Sequence, residues 1–178
     1  MMKRIIIVCE GPTEKEFCQD ILLPHFQKLN IVIEAPLIKQ SGGGIVPWRI
    51  LKSQLERHLA EGDAVVTTFI DYYGIRKDHE FPGWEASQKA PHNIDKVLAL
   101  EEAMSNEFAN PEDINNSPKT APSKRILGAV KSYSKVLDGN CVAMDIGLER
   151  MRQCCPHFNE WVSEMEKVKE IFSLYVSI

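Results

Sequence analysis

The sequence is defined first by what it does not contain. It has no CxxC pair, and its five cysteines, Cys9, Cys18, Cys141, Cys154 and Cys155, are odd in number with two of them adjacent. That pattern argues against a disulfide framework and against a structural zinc site. Cys9 and Cys18 stand in apolar surroundings and are expected as small core residues. There is no apolar run long enough to span a membrane. Met1-Met2-Lys3-Arg4 before Ile5-Ile6-Ile7-Val8 lacks the length and the small-residue cleavage site of a signal peptide. A cytoplasmic protein with no membrane role is the expectation. Excess positive charge is also missing: the net charge is −4. This excludes the broad basic field of an architectural nucleic-acid binder, but not a local basic groove or an enzyme that meets phosphates through metal ions. The Ser41–Gly44 stretch, SGGG, is not followed by Lys and Ser/Thr, so it is not a P-loop. Internal repeats and low-complexity tracts are absent as well.

What remains is an ordinary globular composition, 44% hydrophobic and 26% charged over 178 residues. It fits one domain, 1–178, with a core in about 1–75 and a helical C-terminal extension in about 93–178. Ile5 to Cys9 is a continuous β-branched apolar run, which predicts a strand covered on both faces, as in parallel sheets. Thr13 and Glu16 have capping-box spacing and predict a helix start. Its apolar stripe is Phe17, Ile21, Leu22 and Phe26, with a kink or early end at Pro24. Asn30–Ile38 predicts a second strand. Trp48–Ala60 predicts a helix with Ile50, Leu51, Leu55 and Leu59 buried. Ala64–Ile70 predicts a third, buried strand ending at Asp71. The β-α-β-α-β order implies a parallel α/β sheet of about four strands with right-handed crossovers. Arg76–His92 reads as a loop and Asn93–Phe108 as a helix. Ala109–Arg125 reads as a turn-rich connector, and Ser123 as the cap of a helix over 124–133. Further helices are expected over 145–154 and 158–169.

Two acids fall at predicted strand ends, Glu10 after the first and Asp71 after the third, each followed by a turn signal, Gly11-Pro12 or Gly74. Ligands of open parallel sheets collect outside the carboxyl ends of strands. Carboxylates converging there suit Mg²⁺ or Mn²⁺, which takes oxygen ligands and can stabilise an in-line displacement at phosphorus. Lys124 and Arg125, at a predicted helix start, could grip phosphates or be a solvated basic turn. Cys154, Cys155 and His157 lack a second ligand pair with zinc spacing, so that stretch reads as a helix break at Pro156 with Cys155 and Phe158 packing.

The stretch IIIVCEGPTEKEF (5–17) resembles the first motif of Toprim domains, found in topoisomerases, primases and nucleases of the overcoming-lysogenization-defect group. In those domains a strand ends in glutamate-glycine and a later strand in D-x-D. The resemblance is closer to a bacterial family of Toprim-like proteins known as domain of unknown function 4276. It is carried by VCEGPTEKEF, VVTTFIDYYGI with FPG, NPEDINNSPKTAPSKRI and IGLERMRQCCPHFNEWV, from Val8 to Val162. It implies a Toprim-like fold and metal-dependent phosphoryl chemistry on DNA or RNA. Glu10 would be the general acid/base and a metal contact, Asp71 a metal ligand, and Lys124 and Arg125 nucleic-acid contacts. Tyr73 falls where the second aspartate of D-x-D belongs, and a phenol does not replace a carboxylate as a hard ligand. Asp78 and Glu80 are the nearest substitutes and read as solvated loop acids. Members of the family carry a further His-Glu-Phe-Glu segment before the connector. Here Ala99–Phe108 runs straight into it, which marks a shortened member. The expectation is a magnesium-dependent nuclease. Its alternative is an inactive Toprim-like partner of an ATPase, with phage defence as the setting such relatives share.

Overall fold

Strand β1, Lys3–Cys9, lies in the middle of a parallel sheet, with β2, Ile31–Glu34, on one side and β3, Ala64–Phe69, on the other. The computed structural model describes residues 3–39, 44–62, 64–70, 74–82, 84, 127 and 131–168. Among these the sheet has three strands in the order β2-β1-β3. Ile5 is level with Ile33 on one neighbour and Val65 on the other. Ile5 through Cys9 are fully buried. Alternation sends Ile5, Ile7 and Cys9 to one face and Ile6 and Val8 to the other, each against its own apolar cluster. A run with no polar alternation is what two covered faces require. β3 is half-buried along its whole length rather than buried as expected.

The first face is covered by a long helical segment: α1, Pro12–Phe17, a π-turn, Cys18–Leu22, and α2, Leu23–Lys28. It begins one residue before the predicted Thr13 cap. Gly11 is the extended cap, Pro12 takes the first helical position, and the Glu14 carboxylate accepts the Gly11 N–H at 3.1 Å. Proline is at no disadvantage there, because that N–H has no helical partner in any case. Pro24 does not end the helical run, which continues to Lys28. Its missing N–H and bulky ring are incompatible with a tight bond to Asp20. The turn ahead of it widens instead, with the Leu23 N–H bonded to the Cys18 carbonyl. Asn30, at φ 58°, makes the left-handed exit, so β2 starts at Ile31. β2 also stops sooner than predicted, at Glu34, because Pro36 has no N–H to give to a ladder. Pairing resumes as a single bridge between Leu37 and Cys9.

α3, Trp48–Leu59, covers the second face through Leu51. Leu59, expected inside, is 57% exposed, while Gln54 is buried. The reason is unpaired backbone. The Gln54 amide accepts the Lys39 N–H at 2.9 Å and donates to the Leu37 carbonyl at 3.1 Å. No apolar side chain could satisfy those groups.

Among the described residues three longer helices follow: α4, Leu137–Ile146, α5, Leu148–Cys154, and α6, Pro156–Glu166. The chain breaks at Gly147, φ 77°, where the sequence predicts one helix through 145–154. α4 has no counterpart among the predicted helices, although Ser134 marks its start by accepting the Leu137 N–H. α6 sends Val162 and Met165 into the β1 core, followed by Val168. The helices predicted over 93–108 and 124–133 fall largely or wholly outside the described residues, as does most of SGGG.

Polar ties lock this layer. Arg152 on α5 donates to both Glu166 oxygens, at 2.6 and 3.1 Å, to Asn159 at 2.8 Å and to Ser163 at 3.0 Å. His25 on α2 shares Glu166 at 2.6 Å. Burial pushes the Glu166 carboxyl up, but the hydrogen bonds from Arg152 and His25 outweigh it and hold it below the usual carboxylate range. At the far end of β1, Arg4 bonds Glu34 and Glu61. His58 and Arg4 together hold the exposed Glu61 carboxyl low.

Three outcomes are expected in urea unfolding. Phe26→Ala, which empties a fully buried site, should cost about 3–5 kcal/mol. Arg152→Ala should cost about 2 kcal/mol near neutral pH. Glu166 has a lowered folded pKa, so its contribution is present above its ordinary value of 4.5 and is lost as pH falls through the lower folded value. Arg152→Ala should therefore lose less stability than wild type between neutral pH and about pH 3.

Candidate functional site

The chain leaves β1 for β2 on one side and then crosses to β3 on the other, so the strand order reverses between β1 and β3. The covering helices lie on opposite faces, α1 and α2 on one and α3 on the other. A crevice opens outside the carboxyl ends of the strands at such a reversal. Glu10 is the first residue past β1 and stands at that point. Its N–H donates to the Phe69 carbonyl, the last of β3, at 3.1 Å. Gly11 then turns the chain into α1.

The Glu10 side chain is half-buried. Its carboxylate lies against Gly74, where a Cβ would sit 3.5 Å from Oε1 and 3.2 Å from Ile45 Cγ2. Gly74 thus lies beside the acid, and a Cβ there would make an ordinary contact with the carboxylate and a tight one with Ile45. Aromatic rings brace the strand ends from the first face. Phe69 meets Phe17 edge-on at 5.7 Å and Trp161 at 5.5 Å, and the Trp161 indole N–H donates to Thr67 at 3.1 Å. These contacts fix β3 to the end of α1 and to α6, the helices that cover this face.

Of the residues singled out in the sequence, Glu10 is placed at this edge. Asp71 and Tyr73, and the basic pair Lys124 and Arg125, lie outside the described residues. Asp78 is exposed and held by Arg76 through two hydrogen bonds, at 3.0 and 2.9 Å. Those bonds hold its carboxyl below the usual range. A guanidinium already occupies the oxygens a metal would use. Glu80 sits in the left-handed region at φ 55°, following the short 3₁₀ turn Lys77–His79. His79 is buried, and its Nδ1 accepts the Arg76 N–H at 3.4 Å. This is the stitching of a loop, and it matches the reading of Asp78 and Glu80 as loop acids. Cys154 ends α5 and Pro156 opens α6, as expected of a helix break.

Among the described residues no group of three or more His, Cys, Asp or Glu side chains is arranged to hold a metal ion. Glu10 offers one hard oxygen donor at the crevice, the ligand type magnesium prefers. The close approach at Gly74 is a feature of the fold alone. The sequence marks Gly74 as a turn, and only the folded chain shows that the turn lies on the acid.

No helix among the described residues is long and apolar enough to cross a membrane. Searches of curated proteins and of solved structures find no match. A family profile described as a domain of unknown function, DUF4276, matches residues 9–105 and 81–166. Since those matches span most of the chain, the protein belongs to the DUF4276 family.

Proposed function

We propose that the protein is a metal-dependent phosphodiester hydrolase acting on nucleic acid, with Glu10 at its centre. The observation that carries this reading is the position of Glu10. A half-buried carboxylate, backbone-anchored to β3, stands where the strand order reverses, with Gly74 beside it. Such a group is placed to take a proton from an attacking water and return it to a leaving oxygen. Asp71, three residues before Gly74 in the chain, would join Glu10 in holding Mg²⁺ or Mn²⁺. When bound, the ion would neutralise charge developing on the phosphoryl oxygens. Lys124 and Arg125 would contact the backbone of DNA or RNA. The Toprim resemblance of the 5–17 stretch supports the same assignment, and a cytoplasmic setting fits it.

A second reading rests on Tyr73, which stands where related motifs have an aspartate. On that reading the chain is a non-catalytic module that works with an ATPase partner, in the manner of a phage-defence component.

The two readings separate in one set of assays. The hydrolase reading expects cleavage of DNA or RNA with Mg²⁺ or Mn²⁺, lowered about 10²-fold or more by Glu10→Gln. Equal background from wild type and Glu10→Gln sinks it. Calorimetry should show metal binding to wild type that is lost in Asp71→Asn. Absence of heat in wild type, together with co-purification of an ATPase, would favour the module.

A further inference from the structure

A cavity of about 310 Å³ lies between α3 and the segment that follows β2. Three cations line it: Lys39, Arg49 and Arg57. Ile50, Ser53 and Gln54 form the remainder of its wall. Gln54 joins the two sides of the wall, because both ends of its buried amide are bonded to the backbone of Leu37 and Lys39. Arg57 is steadied by its Nε bond to the Ser53 carbonyl at 3.2 Å.

The charge is what needs explaining. In a chain of net charge −4, three exposed cations converge on one hollow, and among the described residues no carboxylate is paired with any of them. The nearest acid on the helix, Glu56, is paired instead with Lys52 at 3.7 Å. Like charges gathered on one hollow repel one another. An anion in the hollow would turn that repulsion into attraction. Arg49, Ser53 and Arg57 follow one another at helical i+4 steps, giving a strip about 12 Å long, enough for more than one backbone phosphate.

The strip also leads to the candidate site. The Ile38 N–H bonds the Cys9 carbonyl at 2.9 Å. The parallel bridge between Leu37 and Cys9 sets Ile38 level with Glu10 on a neighbouring segment about 5 Å away, and Lys39 is the next residue along. α3 starts at the carboxyl edge of the sheet and runs back from it, so Arg49 lies nearest that edge and Arg57 farthest. We infer that this cavity binds the phosphates of a nucleic-acid strand and leads that strand toward Glu10. The inference deepens the hydrolase reading and rests on it for the direction of travel, while the binding itself can be measured without cleavage.

The test is fluorescence anisotropy of a labelled single-stranded oligonucleotide in EDTA, over a series of salt concentrations. Arg49→Ala/Arg57→Ala should bind about tenfold more weakly, and its salt slope should be shallower by between one and two. Lys52→Ala, on the same helix but outside the cavity, should stay within about twofold of wild type. Thermal melting of each variant checks that the fold is kept. The inference fails if wild type does not bind, if the double variant binds like wild type, or if Lys52→Ala costs as much. Tripolyphosphate is the competitor that distinguishes sources. If it displaces the strand at concentrations near the strand's own Kd, the cavity takes short phosphates and the nucleic-acid assignment is overturned. Retained, cavity-dependent binding with no cleavage by wild type would sink the hydrolase reading alone.

Discussion

The end of β1 is clamped from both sides, and the rest of the molecule is arranged around that clamp. The Cys9 N–H reaches Pro36 at 2.9 Å, the Cys9 carbonyl receives Ile38 at 2.9 Å, and the Glu10 N–H reaches Phe69 at 3.1 Å. Behind it, the side chains from Ile5 to Cys9 have no contact with water. Each such burial is worth about 1.5–3 kcal/mol, far more than the surface ion pairs, which contribute about 0–1 kcal/mol. A strand held this firmly decides where its next residue goes. Glu10 is set at the sheet edge by main-chain bonds.

The architecture is largely legible in the sequence because it rests on periodicity. Ile5–Cys9 carries no polar alternation, and a doubly covered strand is the physical reason. The misreadings share a different cause, in which backbone needs override the apolar pattern. Pro24 signals the end or kink of a helix, but a wider turn absorbs it. Leu59 fits the stripe, yet Gln54 is buried, because the chain at Leu37 and Lys39 needs a donor and an acceptor. Gly147 is short of signal in sequence, but its φ of 77° divides α4 from α5. Such demands depend on which segment lies alongside, and that is a fact of tertiary structure.

The site divides along the same line. The place of Glu10 at the carboxyl edge can be read from sequence, since a buried strand ends just before it and Gly-Pro follows. Asp78 can be set aside only once Arg76 is seen to hold it. The Arg152–Glu166–His25 tie is out of reach, because it joins residues on three helices that no local spacing connects. The basic hollow is an intermediate case. Arg49, Ser53 and Arg57 already share a helical face by their spacing. Lys39 joins them only because the chain after β2 runs back beside Cys9.

Among the described residues the sheet contains no hairpin, and that shapes how it assembles. Each of its pairings is parallel and joins distant parts of the chain: Lys3 finds Ile31, and Arg4 finds Ala64. The second loop is about twice as long as the first, a difference of roughly 0.6 kcal/mol in closure entropy. Loop closure alone thus tilts β1 slightly toward meeting β2 first. The crevice at Glu10 depends on the other seam, the longer-range of the two pairings, so any change that loosens β3 from β1 would open the site before it disturbed β2.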